Sequence, residues 1–195
     1  MSMDVVLAVK NRELGERMQD CAKSDFDWLT QPDLFHGRLA QDVEIPADYS
    51  AWLSLDGSMT STIAELYGTP PSVAVHYSGH CTLTSWEADL IDNADEKEGF
   101  ARQVSLLSNS QRIVVARSVV RRDSAAQSFL EAQQSSPLGW QLFKTSDWRR
   151  LPQSMPLISD SGLIGRARVW KNARTEEPLV VEEFFLRPMP GIQSP

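Results

Sequence analysis

Three charged residues occupy strand positions where the surrounding pattern is apolar. Arg102 lies in Phe100-Ala-Arg-Gln-Val-Ser-Leu-Leu107, and Glu183 lies in Leu179-Val-Val-Glu-Glu-Phe-Phe-Leu186. Alternate strand residues share a face, so Arg102 sides with Phe100, Val104 and Leu106, and Glu183 with Leu179, Val181 and Phe185. Arg117, in Ile113-Val-Val-Ala-Arg-Ser-Val-Val120, sides with Ile113, Val115 and Val119 in the same way. All three side chains are expected to point inward. A buried charge costs several kcal/mol unless it meets a partner or a ligand. Two readings follow: Arg102 and Glu183 form a structural salt bridge, which the residue pattern alone favours, or they mark the cationic and carboxylate ends of a binding cavity.

The chemistry these residues could perform is narrowed by what the chain lacks. There is no G-x-S-x-G, no cysteine in an activating context, and no phosphate loop, since Gly162-Leu-Ile-Gly165 has neither Walker nor Rossmann spacing. His76, His80 and Cys81 are close in sequence, but one strand-and-turn segment supplies at most three ligands, so they read as structural and no metal or other cofactor is expected. Cys21 and Cys81 are sixty residues apart with no CxxC, which points to a reducing cytoplasm rather than a disulfide framework. Net charge is -7, arguing against nucleic acid or an anionic membrane as the main partner. The N-terminal apolar run of five residues, Val5-Val-Leu-Ala-Val9, is too short for a signal peptide or a membrane span. An anionic ligand would therefore need a local basic site working against the global field. The helix start at Ser58-Met59-Thr60 and the turn Leu138-Gly139 after Pro137 can add backbone N–H donors, which favours a small carboxylate.

The elements that must position these groups are legible in outline. Residues 1–50 carry ten acidic and five basic residues with turn punctuation, and read as a partly helical, loosely packed extension. Residues 51–195 read as the functional domain. Ser58 caps a helix that Gly68 stops, and Val73 and Val75 begin a strand. The acidic stretch 84–99 reads as a solvated loop or short helix. Two strands joined at Ser108-Asn-Ser110 form a hairpin, Ser124 to Gln134 is an amphipathic helix, and late strands run near 167–171 and 179–186. The sum is an α+β domain: a single antiparallel β-sheet with helices on one face.

Seven pieces in order carry a family resemblance: Trp52-Leu53; Ser58-Met-Thr60; Arg102; Arg117-Ser-Val-Val120; Pro137-Leu-Gly139 with Leu142-Phe143; Asp160-Ser-Gly-Leu-Ile-Gly-Arg-Ala-Arg168; and Glu182-Glu-Phe-Phe-Leu-Arg-Pro188. Over roughly residues 51–190 the chain resembles the chorismate lyase family, the chorismate pyruvate-lyases of ubiquinone biosynthesis. The resemblance implies helical flaps over an internal ligand site, chorismate as substrate, and pyruvate and 4-hydroxybenzoate as products. It implies that Arg102 binds the ring carboxylate, that Glu183 binds the 4-hydroxyl, and that Met59, Thr60 and Leu138 contact the ligand. Arg117 is expected to face the enolpyruvyl group. The arginine strand reads Phe-Ala-Arg-Gln-Val where the family has Trp-Leu-Arg-Glu-Ile, and Ile164 stands where an aromatic is common. The expected protein is a monomer without nucleic-acid partner or membrane insertion, and its first 50 residues are expected to be dispensable for chemistry.

Aromatisation supplies the driving force of such an elimination, so the enzyme needs only to hold a reactive conformer in a dry site and stabilise the departing enolpyruvate. Glu183 is a base or only a hydrogen-bond acceptor. The rival class is a non-catalytic effector-binding module of the same fold. Regulators of that kind carry a basic helix-turn-helix unit, whereas residues 1–50 have a net charge of -5. A third reading is a family member that binds an aromatic acid without turning chorismate over.

Overall fold

The hairpin at Ser108–Ser110 sets the centre of the sheet. Asn109 and Ser110 both adopt positive φ (49° and 63°), the primed-turn geometry that matches the twist of paired strands. They join β3 (Glu98–Ser108) to β4 (Gln111–Arg121). The computed structural model describes residues 23–190 except His36 and Asp42. The expected helices before residue 23, and Cys21, lie outside the described residues.

The other strands are β1 (Arg38–Leu39), β2 (Ser72–Thr82), β5 (Trp148–Ile158), β6 (Ile164–Asn172) and β7 (Pro178–Phe185). They form one seven-stranded antiparallel sheet in the order β1-β5-β6-β7-β4-β3-β2. The expected α+β architecture on an antiparallel sheet is therefore present. The key adjacency is β4 with β7, which sets the last strand beside the central hairpin. Strand β5 was not expected from its sequence: Pro152 and Pro156, with alternation broken between Arg150 and Ser154, obscure the period of 2.

On one face lie α1 (Ser50–Ser54), α2 (Met59–Tyr67), α4 (Ala125–Glu131) and α5 (Leu138–Lys144). The Ser58 side chain accepts from Ser61 N–H at the start of α2, and Gly68 ends the helix at φ 74°, a left-handed conformation that costs other residues strain. Trp52 of α1 stacks on Phe185 with ring centroids 5.3 Å apart. Leu130 of α4 and Leu142 of α5 pack with Phe100, Val120, Trp170 and Leu179. Helices on this face thus enclose the side of the sheet that carries Arg102.

The opposite face is also covered. Helix α3 (Ser85–Leu90) begins with a capping box: Thr84 N–H donates to Glu87 Oε2 at 2.6 Å, and Glu87 N–H donates to Thr84 Oγ1 at 3.3 Å. Ala88 and Ile91 are in the core and Glu87 is fully buried, so this part of the acidic stretch is not solvated. The Thr84-x-x-Glu87 spacing was the available signal.

Beside α3 run short 3-10 turns at Lys23–Leu29 and Pro32–Leu34. Trp28, Leu29 and Phe35 are buried, and Phe35 and Phe184 meet edge-to-face at 5.9 Å. Trp28, Leu29 and Phe35 are thus built into the core rather than loosely packed, whereas the described residues of 38–50 are half-buried or exposed. The few large apolar residues of this segment are separated by acidic ones, so no period announces burial.

Candidate functional site

Strand register defines the site. Arg102 pairs with Ser118, Ser118 with Val181 and Val181 with Arg168, so these four residues form one row across β3, β4, β7 and β6. The adjacent row is Val104, Ala116, Glu183 and Arg166. Directly paired residues point to the same side of a sheet, so both rows face the helices. They floor a cavity of about 650 Å3, mouth included, under α2 and α5.

Five of the six residues singled out from the sequence line this cavity: Met59, Thr60, Arg102, Leu138 and Glu183. Met59 and Thr60 open α2, while Leu138 opens α5 after Pro137. The two helix starts are in contact: a Cβ added at Gly139 would come within 3.1 Å of Thr60 Oγ1 and 3.3 Å of Ser58 Oγ. Glycine at 139 lets the helix starts meet above the rows. Phe143 of α5, 44% exposed, also lines the cavity and packs edge-on against Trp170 at 4.9 Å.

Arg102 is 2% exposed. Its Nη2 donates to the carbonyls of Gln134 (2.7 Å) and Ser136 (2.9 Å), while its Nε is buried without a hydrogen-bond partner among the described residues. Burial lowers its pKa to about 10. The salt bridge considered between Arg102 and Glu183 is not formed. Glu183 Oε2 instead accepts from Arg166 Nε at 2.8 Å, because Arg166 is its direct cross-strand partner.

Arg166 and Arg168 are site residues that the sequence reading left unassigned, although both stand in the quoted Arg166-Ala-Arg168 piece. Their spacing of two before Trp170 on an otherwise apolar strand was a usable signal. Arg166 Nη1 also donates to the carbonyls of Trp52 (2.8 Å) and Leu55 (2.7 Å), and Arg168 Nη2 donates to Leu55 O at 2.7 Å. Arg150 joins them by donating to both the carbonyl and the carboxylate of Asp56. Three arginines thus hold the chain after α1 at the cavity.

Arg117, expected to face the enolpyruvyl group, does not line the cavity. It is fully buried, as expected, but on the other side of the sheet, paired across strands with Gln103 and Glu182. Its Nε donates to Glu87 Oε1 at 2.7 Å, its Nη1 to Gln103 Oε1 (2.5 Å) and Pro32 O (3.2 Å), and its guanidinium lies 4.8 Å from the Phe35 ring centroid. It cannot face a ligand that lies against Arg102. An apolar strand environment does not say which face is meant when both faces are covered, and here Arg102 is in register with Ser118, not Arg117. Burial opposes the charge of Arg117, but Glu87 and Glu182 more than offset that and raise its pKa.

His76, His80 and Cys81 have ordinary structural surroundings. His76 Nε2 hydrogen-bonds Ser105 Oγ at 2.8 Å, His80 meets Phe100 edge-on, and burial raises the Cys81 thiol to about 11, far from a reactive thiolate.

The helices on this antiparallel sheet close an arginine-lined cavity containing one carboxylate, an arrangement whose charge suits small organic anions. The family model for chorismate lyase matches residues 35–192, and the chain belongs to the chorismate lyase family. A curated relative, the probable chorismate pyruvate-lyase of Pasteurella multocida (strain Pm70), is 29% identical over 157 residues, covering 75% of this chain and 85% of the relative. Among solved structures, the C-terminal domain of the histidine utilization repressor from Pseudomonas syringae pv. tomato aligns with a TM-score of 0.46 at 10% identity, covering 64% of this chain and 97% of that one. The ligand-binding domain of a putative GntR-family regulator from Bordetella bronchiseptica aligns at 0.42 and 10% identity, covering 82% and 98%. No described helix is long and apolar enough to cross a membrane.

Proposed function

We propose that this chain is a chorismate pyruvate-lyase that converts chorismate to 4-hydroxybenzoate and pyruvate, the entry reaction of ubiquinone biosynthesis. The observation that carries the reading is the joint placement of Arg102 and Glu183 on neighbouring rows of one buried cavity. Arg102 offers its unpartnered Nε to the ring carboxylate. Glu183 lies one row away, where it can accept a hydrogen bond from the 4-hydroxyl or take the C4 proton.

In this reaction the ether bond from ring C3 to the enolpyruvyl oxygen breaks, the C4–H bond breaks, and the ring becomes aromatic. The proton lost from C4 is balanced by the one gained at the enolpyruvyl methylene as pyruvate forms. The apolar walls supplied by Met59, Val104, Leu106 and Leu138 exclude water, which strengthens every charge interaction inside. Stabilisation of the departing enolpyruvate falls to an arginine of the cavity and not to Arg117, which faces away.

The decisive experiment is to incubate the purified chain with chorismate and quantify 4-hydroxybenzoate and pyruvate. Equimolar appearance of both is expected. Saturable binding of either acid without product formation would identify an effector-binding member of the family instead.

A further inference from the structure

The cavity holds more positive charge than one carboxylate can use. Arg102, Arg150, Arg166 and Arg168 all line it, against the single carboxylate of Glu183. Two of the four are hydrogen-bonded to a carboxylate, Arg166 to Glu183 and Arg150 to Asp56. The other two are buried and spend only Nη2 on chain carbonyls, Arg102 on Gln134 and Ser136 and Arg168 on Leu55, each keeping a further donor without a partner among the described residues. Arg168 is 5% exposed, and both its Nε and its Nη1 lack a hydrogen-bond partner among the described residues. The nearest carboxylate, Asp56 Oδ1, is 3.6 Å from Nη1, too far for a hydrogen bond, and belongs to a side chain 83% exposed.

Arg102 and Arg168 lie on one row with only Ser118 and Val181 between them, the row running on to Ser78 of β2 and Ser154 of β5. At a strand spacing of roughly 4.8 Å their Cα atoms lie about 14 Å apart, less the curl of the sheet, and both side chains line the cavity. Between them the row carries only Ser118 and Val181, so its two guanidinium groups are separated by uncharged floor, with the Arg166–Glu183 pair on the neighbouring row. Unsatisfied buried donors are costly, and two separated along one row of a cavity are best satisfied by a ligand with an anionic group at each end. Burial, with repulsion from Arg166 and Arg150, also lowers the pKa of Arg168 to about 10, a cost that a bound carboxylate would relieve.

We propose that Arg168 receives the second carboxylate of a dianionic substrate whose first carboxylate is held by Arg102, a contact that the monocarboxylate aromatic product does not make. This rests on the reading of the chain as a chorismate lyase and assigns the enolpyruvyl end of the substrate to Arg168. After the ether bond breaks, each arginine retains a monoanion, and neither product alone recovers both contacts.

The test compares wild type, R168Q and R168K with two ligands: chorismate, through steady-state KM and kcat, and 4-hydroxybenzoate, through calorimetric Kd. R168Q is expected to raise KM for chorismate by about 30-fold or more, as loss of a desolvated charge pair implies, while the Kd for 4-hydroxybenzoate changes by less than about threefold. R168K keeps the charge without the planar fork and should fall between the two. If R168Q fails to fold by circular dichroism, R168K carries the comparison, with a raised chorismate KM and an unchanged 4-hydroxybenzoate Kd expected. Equal losses for both ligands, or no loss for chorismate, would overturn the assignment. If wild type does not turn over chorismate, calorimetric titration with both acids still reads the discrimination. Chorismate binding weakened in R168Q while 4-hydroxybenzoate binding holds would then uphold the dicarboxylate site while the lyase reading fails; equal changes for both acids would end both.

Discussion

The two faces of this sheet each bury arginine, and the two faces treat it differently. Arg117 is wholly enclosed and meets Glu87, Gln103, Pro32 O and the Phe35 ring, so its donors are spoken for by the chain. Arg102 and Arg168, on the opposite face, keep buried donors without partners and have lowered pKa values. The same residue type at similar burial thus serves as a structural cross-link on one side and keeps unpartnered donors at the cavity on the other. Satisfaction of the donors, not burial, separates the two roles.

The largest effect that can test this contrast is on stability. Arg117→Ala leaves Glu87 buried without its cation and frees the carbonyl of Pro32, and removing one partner of such a pair costs about 3–5 kcal/mol. Chemical denaturation should show that loss, and an unchanged midpoint would erase the distinction between the faces. Arg102→Ala should do the reverse, with a smaller change in stability but a loss of about 2–5 kcal/mol in 4-hydroxybenzoate binding measured by calorimetry. Arg102→Lys should restore little, since an ammonium lacks the fork.

Glu183→Gln comes next. It keeps an oxygen for Arg166 Nε but cannot take a proton, so kcat for chorismate should fall by ~100-fold or more while product affinity changes less. A kcat within a few-fold of wild type would leave conformer selection by the arginines to carry the reaction.

The smallest effect belongs to Glu182, the immediate neighbour that faces the other way. Glu182 is fully buried beside Glu87, and burial, then repulsion from Glu87 and a hydrogen bond that a protonated Glu182 can give it, raises its pKa well above the ordinary value. A carboxyl group whose folded pKa is raised contributes stability that is complete below its unfolded pKa and is lost as pH rises through the folded one. Glu182→Gln removes that dependence. Its melting temperature should match wild type near about pH 4 and exceed it increasingly towards neutral pH, with kcat nearly intact. If Glu182→Gln were the inactive variant, the strand register would be off by one residue.

Much of the site was legible because it sits on strands. Period-two reasoning put Arg102 and Glu183 on inward faces, and helix-start signals put Met59 and Thr60 at the cavity, with Leu138 placed by the turn after Pro137. Arg117 was legible as buried but not as belonging to the other side. Arg166 and Arg168 sat in a quoted motif without a role, since nothing local shows that β6 lies beside β7. The packing of Trp28, Leu29 and Phe35 was hidden because irregular 3-10 chain has no period to betray burial.

Sequence alone determined which residues had to be inside: an arginine or glutamate among alternating apolar residues has no solvent-facing option once the strand is buried. It also determined the turns and caps, which depend on neighbours only a few residues apart, as at Asn109-Ser110, Ser58 and Thr84-x-x-Glu87. Only the tertiary structure decided which buried charges meet. That depends on register between strands distant in sequence, which aligned Arg102 with Arg168 across Ser118 and Val181 and turned Arg117 towards Glu87. A one-residue change in that pairing would exchange the two faces, and no local pattern encodes it.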